Sequence, residues 1–153
     1  MAHVFALIAV LGTAVVYGTD VFCAFVQRPA LARVDDRALV AVMGNVHRYG
    51  DARMPVPGVI GIAAAVVSAV FAAASGRWVQ AIAAGVAVGL LLVWLALYLL
   101  VSAPINRRLT AAADQPESPV DARALQQKWD RIITIRAVLQ GLAVTALCTA
   151  LLI

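Results

Sequence analysis

Apolar residues fall into four long runs, Val4–Val26, Val56–Ser75, Val79–Ala103 and Ile132–Ile153, each 20 to 25 residues long. A helix rises about 1.5 Å per residue, so roughly 20 residues cross the hydrocarbon core of a bilayer. The pattern predicts an all-α fold, a bundle of four transmembrane helices formed by one domain over residues 1–153. The spans are expected at about 4–26, 56–75, 79–103 and 132–153. Polar and helix-breaking residues place the joints. The first span stops at Gln27-Arg28-Pro29. Asp35 then offers an N-cap and Gly50 a stop for a short helix. Leu39, Val42, Met43 and Val46 repeat at i, i+3, i+4 and i+7, which predicts an amphipathic helix that lies among the headgroups or caps the bundle. Ser75-Gly76-Arg77 reads as a tight turn joining spans two and three. Gly85 with Gly89, and Ala137 with Gly141, have the small-xxx-small spacing that lets helices approach closely. Ser118-Pro119 reads as an N-cap followed by proline at the first helical position. No breaker follows until Gln140, so one helix of about 50 Å is expected from there to the C-terminus, its first turns projecting beyond the bilayer.

Composition agrees with this pattern: 63% of residues are hydrophobic and 13% charged, against roughly 45–50% and about 25% in soluble domains. A soluble enzyme, a disordered chain and a disulfide scaffold are excluded. The net charge of +4 is not a nucleic-acid signal, because in a membrane chain the position of the basic residues carries the information. The segment between spans one and two holds Arg28, Arg33, Arg37, Arg48 and Arg53. That between spans three and four holds Arg107, Arg108, Arg123, Lys128 and Arg131. By the positive-inside rule these two long loops are cytoplasmic, the amphipathic helix with them, and both termini face out of what is expected to be the plasma (inner) membrane. Met1–His3 lacks the basic start of a signal peptide, so the first run is read as a retained span. Cys23 and Cys148 fall near opposite ends of their spans, too far apart for a disulfide.

Charge inside a bilayer is costly, about 2.5–3.5 kcal/mol per group on insertion scales, which makes intramembrane ionisable residues functional candidates. Two stand out. Asp20 lies seven residues inside Gln27, about 10 Å deep. Arg136 lies four residues inside span four. Arg136 can snorkel to the headgroups; the shorter Asp20 needs a partner or a proton, and an Asp20–Arg136 pair or shared network answers that need. Thr13, Tyr17, Asp20 and Gln27 share a face of span one. Trp129, Arg136 and Gln140 share one on span four, and Tyr98, Ser102 and Asn106 end span three. These groups, with Asn45, His47 and Arg48, gather toward the loop end of the bundle. They outline an apolar, aromatic pocket with a few polar tips, suited to a lipophilic aromatic molecule or a lipid. His47 is the candidate acid–base group, the alternative being a surface histidine; His3 reads as interfacial. No spacing resembles a metal site, and no phosphate loop or nucleotide motif occurs. Hence no cofactor, metal or nucleic-acid partner is expected, and a homo-oligomer is compatible with four spans.

Three elements together carry a resemblance. Gly18-Thr19-Asp20-Val21-Phe22 runs into Arg28-Pro29-Ala30-Leu31. Pro104-Ile105-Asn106-Arg107-Arg108-Leu109 follows span three, and Trp129 precedes Arg136 by seven residues. Over nearly the whole chain this pattern resembles the anthrone-oxygenase-like family of small four-span membrane proteins. The resemblance implies a membrane oxidoreductase that converts an anthrone, phenolic or quinone-like lipophile to a quinone with dioxygen and without a cofactor. Asn106, Trp129 and Arg136 carry over by motif. On that reading Arg136 stabilises an enolate-like oxyanion, Asp20 or His47 is the base, and Tyr17, Tyr98, Asn106 and Trp129 bind substrate. One position departs from the pattern: Ile133 stands four residues after the tryptophan, where the family often has Asn or His. The alternative is a non-catalytic lipophile-binding or structural membrane subunit, in which Asp20 and Arg136 serve stability alone.

Overall fold

The computed structural model describes residues 1–115 and 121–153. Five helices account for nearly all of it: α1 (Ala2–Leu31), α2 (Asp36–Arg53), α3 (Pro55–Ala74), α4 (Trp78–Ala112) and α5 (Ala122–Leu152). All but α2 are long and apolar enough to cross a membrane, so the chain is an integral membrane protein. α1 packs against α3 and α5, and α4 packs against the same two, closing a four-helix ring. The expected start at Ser118-Pro119 lies outside the described residues.

Small residues set the closest crossing. A Cβ on Gly12 would stand 2.8 Å from both Gly61 N and Pro57 O, and one on Gly61 would stand 2.9 Å from Thr13 Oγ1. The backbones of α1 and α3 therefore touch only because both positions lack a side chain. Gly85 and Gly89, by contrast, have nothing within 4 Å. The spacing was sound, but the buried face of α4 runs through Gln80, Ala84, Ala87, Leu91 and Trp94, leaving the two glycines on the opposite side. The hairpin between α3 and α4 closes as expected. Gly76 adopts φ +72°, while Arg77 N–H donates to Ala72 O at 2.9 Å and Gly76 N–H to Ala73 O at 3.0 Å. This is a Schellman stop, and a Cβ at Gly76 would meet the left-handed steric penalty.

Both prolines expected to end a span lie inside a helix instead. α1 runs on to Leu31 past Pro29, and α4 to Ala112 past Pro104. Each proline is preceded by one widened π turn, Cys23–Gln27 in α1 and Tyr98–Ser102 in α4. Arg28 N–H bonds to Cys23 O and Ala103 N–H to Tyr98 O, five residues back. Proline has no N–H, and its ring collides with the carbonyl four residues earlier. Widening the preceding turn moves that carbonyl aside and lets the helix continue.

The extension of α4 beyond the π turn gives α2 its seat. Asp35 caps α2 as expected, accepting from Ala38 N–H at 2.8 Å, but the helix continues through Gly50 to Arg53. Its buried face is Leu39, Val40, Met43, Gly44 and His47. Val42 and Val46, expected on that face, are exposed. The rotation follows from a close contact: a Cβ on Gly44 would collide with Ala113 Cβ and stand 2.6 Å from Leu109 O. Arg48 pairs with Asp114 at 2.6 Å, and Thr110 Oγ1 donates to Gly44 O at 3.2 Å, fixing the seat. α2 thus lies over the loop end of the bundle.

Candidate functional site

Under α2, the inner faces of the four spans leave a cavity of about 170 Å³. Both π turns fall at this level, and such turns often shape functional sites by turning side chains off the regular helical register. The walls are apolar and aromatic, from Val16, Ile62, Trp94, Leu95, Tyr98 and Trp129, with Asp20, His47, Asp51, Asn106 and Arg136 as the polar tips. Of the sequence-derived candidates, Asp20, His47, Tyr98, Asn106, Trp129 and Arg136 all border this one space. Tyr17 does not line it. Its ring lies against Gly141 of α5, where a Cβ would come within 3.3 Å.

The expected Asp20–Arg136 pair forms, at 2.9 Å between Oδ1 and Nη2, with the residues 3% and 6% exposed. Neither charge snorkels. Asp20 Oδ2 also accepts from Gln140 Nε2 at 2.7 Å and from Trp94 Nε1 at 3.2 Å. Arg136 Nη1 donates to Ser102 Oγ at 3.0 Å, and its guanidinium stands 5.5 and 5.4 Å from the ring centres of Trp94 and Tyr98. Ion pairing, hydrogen bonds and ring faces together replace the water that both charges lost. Arg136 Nε remains buried with no hydrogen-bond partner among the described residues.

A second chain of bonds runs from α2 across to α5. Asp51 Oδ1 accepts from Tyr98 OH and from Asn106 Nδ2, both at 2.9 Å. Asn106 Oδ1 accepts from Trp129 Nε1 at 3.0 Å. The Trp129 ring in turn packs on His47, centroids 5.3 Å apart and tilted by 55°. His47 is 4% exposed, not a surface residue, and its Nε2 is buried without a partner among the described residues. Burial first, and the nearby Arg136 charge second, pull its pKa down to about 4. The ring is therefore neutral at pH 7 and has a lone pair available.

Two functional-looking side chains escaped the sequence reading. Trp94 was one aromatic among many in an apolar run. Asp51 left a faint signal: it follows His47 by four residues, hence on the same face, and a carboxylate in the last turn opposes the helix dipole. No group of three or more His, Cys, Asp or Glu able to hold a metal occurs among the described residues. Cys23 and Cys148 are both free thiols.

A family model described as anthrone oxygenase matches residues 43–146, which include His47, Asp51, Tyr98, Asn106, Trp129 and Arg136 of the site but not Asp20. No curated protein and no solved structure matches the chain.

Proposed function

Because this chain belongs to the anthrone oxygenase family, we propose that the cavity beneath α2 oxidises an activated methylene of a lipophilic, phenolic or quinone-like compound to a ketone with dioxygen. The observation that carries this reading is a neutral His47, lining an aromatic cavity together with Arg136, whose buried Nε2 has no hydrogen-bond partner among the described residues. A methylene flanked by hydroxylated aromatic rings and para to a ring carbonyl is acidic enough for such a base. His47 takes one proton, and the electron pair delocalises to the carbonyl oxygen as an enolate. Arg136, whose Nε–H has no partner within the described protein, stabilises that oxygen. The cost of protonating His47 beside Arg136 falls as this negative charge develops.

The carbanion transfers an electron to dioxygen, and the two radicals combine into a C–O bond. The resulting peroxide takes the proton back from His47. Loss of the second C–H proton then cleaves the O–O bond and releases water. The balance is CH2 + O2 → C=O + H2O, a four-electron oxidation of carbon by one dioxygen. Asp20 is a weaker candidate for the base, since its carboxylate already accepts from three donors. A cavity of about 150 Å³ is known to hold a benzene, so the space here suits the reacting ring. The rest of a polycycle would extend past Val59, which is 65% exposed at the rim.

A second reading, a lipophile-binding protein without turnover, is supported by that same saturation of Asp20, which suits a structural tie between helices. The two separate in one assay. Purified protein in detergent with a hydroxylated anthrone and dioxygen is expected to form quinone absorbance faster than the spontaneous rate. His47→Gln is expected to lower that excess rate by roughly 10²–10⁴-fold, the range of a lost general base. No acceleration across several hydroxylated anthrones would leave only the binding reading. We also infer, from the ten basic residues that lie between apolar runs one and two and between runs three and four, that the α2 end of the bundle faces the cytoplasm.

A further inference from the structure

A second hollow lies on the outside of the bundle, between the end of α1 and the first turns of α5. It is an open groove of about 590 Å³. Its polar wall is Arg28, Gln126 and Asp130, and its apolar side is Ala24, Phe25 and Leu31. Phe25, 74% exposed, sits one turn toward the middle of the span from Arg28. The groove therefore straddles the level where a bilayer changes from headgroup to acyl chain.

The polar groups are arranged in an unusual way. Gln126 is 3% exposed; its Nε2 donates to Asp130 Oδ1 at 2.8 Å, yet its Oε1 is buried with no partner among the described residues. Such an orphaned acceptor costs about 1–3 kcal/mol unless a donor arrives. Asp130 adds a carboxylate beside it. Arg28 Nε stands 4.0 Å from Asp130 Oδ2 with half of its side chain exposed, a distance too long for a hydrogen bond. Arg123, also on the wall, is occupied by Asp36 and by the carbonyls of Leu31 and Val34. Gln126 with its buried, unsatisfied acceptor, the Asp130 carboxylate and the under-used Arg28 thus line one groove beside an apolar slot.

We propose that this groove binds a phospholipid with an ethanolamine headgroup. The ammonium donates to Gln126 Oε1 and Asp130, the phosphate accepts from Arg28, and an acyl chain lies along Phe25. A zwitterion with N–H donors matches the pattern. A choline headgroup has the charge but no donor for Gln126, and a glycerol headgroup has donors but brings net negative charge to Asp130.

Purified protein released from nanodiscs of equal phosphatidylethanolamine, phosphatidylcholine and phosphatidylglycerol tests this by native mass spectrometry of the retained lipid. Phosphatidylethanolamine is expected to exceed phosphatidylcholine by at least about fivefold, as the loss of one or two hydrogen bonds implies. Gln126→Leu should erase the preference, and the half-exposed Arg28→Gln should lower the retention of both phosphatidylethanolamine and phosphatidylcholine severalfold with the unfolding midpoint in detergent unchanged. Equal retention of phosphatidylcholine, preferential retention of phosphatidylglycerol, a preference that survives Gln126→Leu, or lipid retention unchanged by Arg28→Gln overturns the proposal. Soluble glycerophosphoethanolamine at millimolar concentration should not displace the lipid; displacement would assign the site to a water-soluble headgroup and overturn the lipid reading.

Discussion

Asp20 accepts from Arg136, Gln140 and Trp94, so its charge rests on donors from α4 and α5. Removing it leaves Arg136 without a counter-charge in an apolar interior. Asp20→Asn is expected to destabilise the bundle by about 3–5 kcal/mol, read as a lowered unfolding midpoint in detergent. Asp20→Asn with Arg136→Gln should recover part of that loss, since the stranded charge is gone. His47 gives a pH signature. Its folded pKa is near 4 and its unfolded pKa about 6.5. Above pH 7 neither state is protonated and nothing changes. As pH falls from 7 toward 4 the unfolded chain binds the proton first, so stability drops, by up to about 3 kcal/mol, and the drop levels off below 4. The difference between wild type and His47→Gln across this window isolates the contribution from that of the carboxylates. Most of these residues were visible as chemistry in an apolar chain. Asp51 and Trp94 were not, because their importance lies in what they touch across the bundle.

At the scale of elements, the two prolines decide more than helix ends. Each sits just after a π turn, and one extra residue in a turn rotates everything beyond it by about 100°. Asn106 follows the turn in α4, so its reach toward Asp51 and Trp129 depends on that widening. The seat of α2 depends on Gly44 in the same local way. Gly44→Ala would push a methyl against Leu109 O and Ala113 Cβ. It is expected to cost about 1–3 kcal/mol and to make α2 more open to proteolysis, whereas Gly85→Leu, facing open space, should change the unfolding midpoint little. The α2 face was partly misread because heptad spacing ranks only the apolar residues. Gly44 and His47 carry no apolar signal, yet Gly44 meets the extension of α4 and His47 packs on Trp129 of α5.

At the scale of the whole molecule, both long connections lie at one end of an antiparallel ring, with the cavity just beneath them. The inferred orientation makes a simple prediction. In intact cells a membrane-impermeant thiol reagent should label Ser75→Cys, in the short hairpin, and should label Arg33→Cys only after permeabilisation; the reverse result would invert the orientation. Four spans, their antiparallel order and the rare charges within them were determined by the sequence alone. A bilayer admits only helices of a given length from such a chain, and it makes every buried charge conspicuous. Which face of each helix turns inward was decided by tertiary structure. Lipid and protein interior are equally apolar, so exposed Leu11 or Val70 and buried Ala6 or Leu147 look alike to hydropathy. Only close packing at Gly12, Gly61 and Gly44, and the two widened turns, selected the faces that bring Asp20, His47 and Arg136 around one cavity.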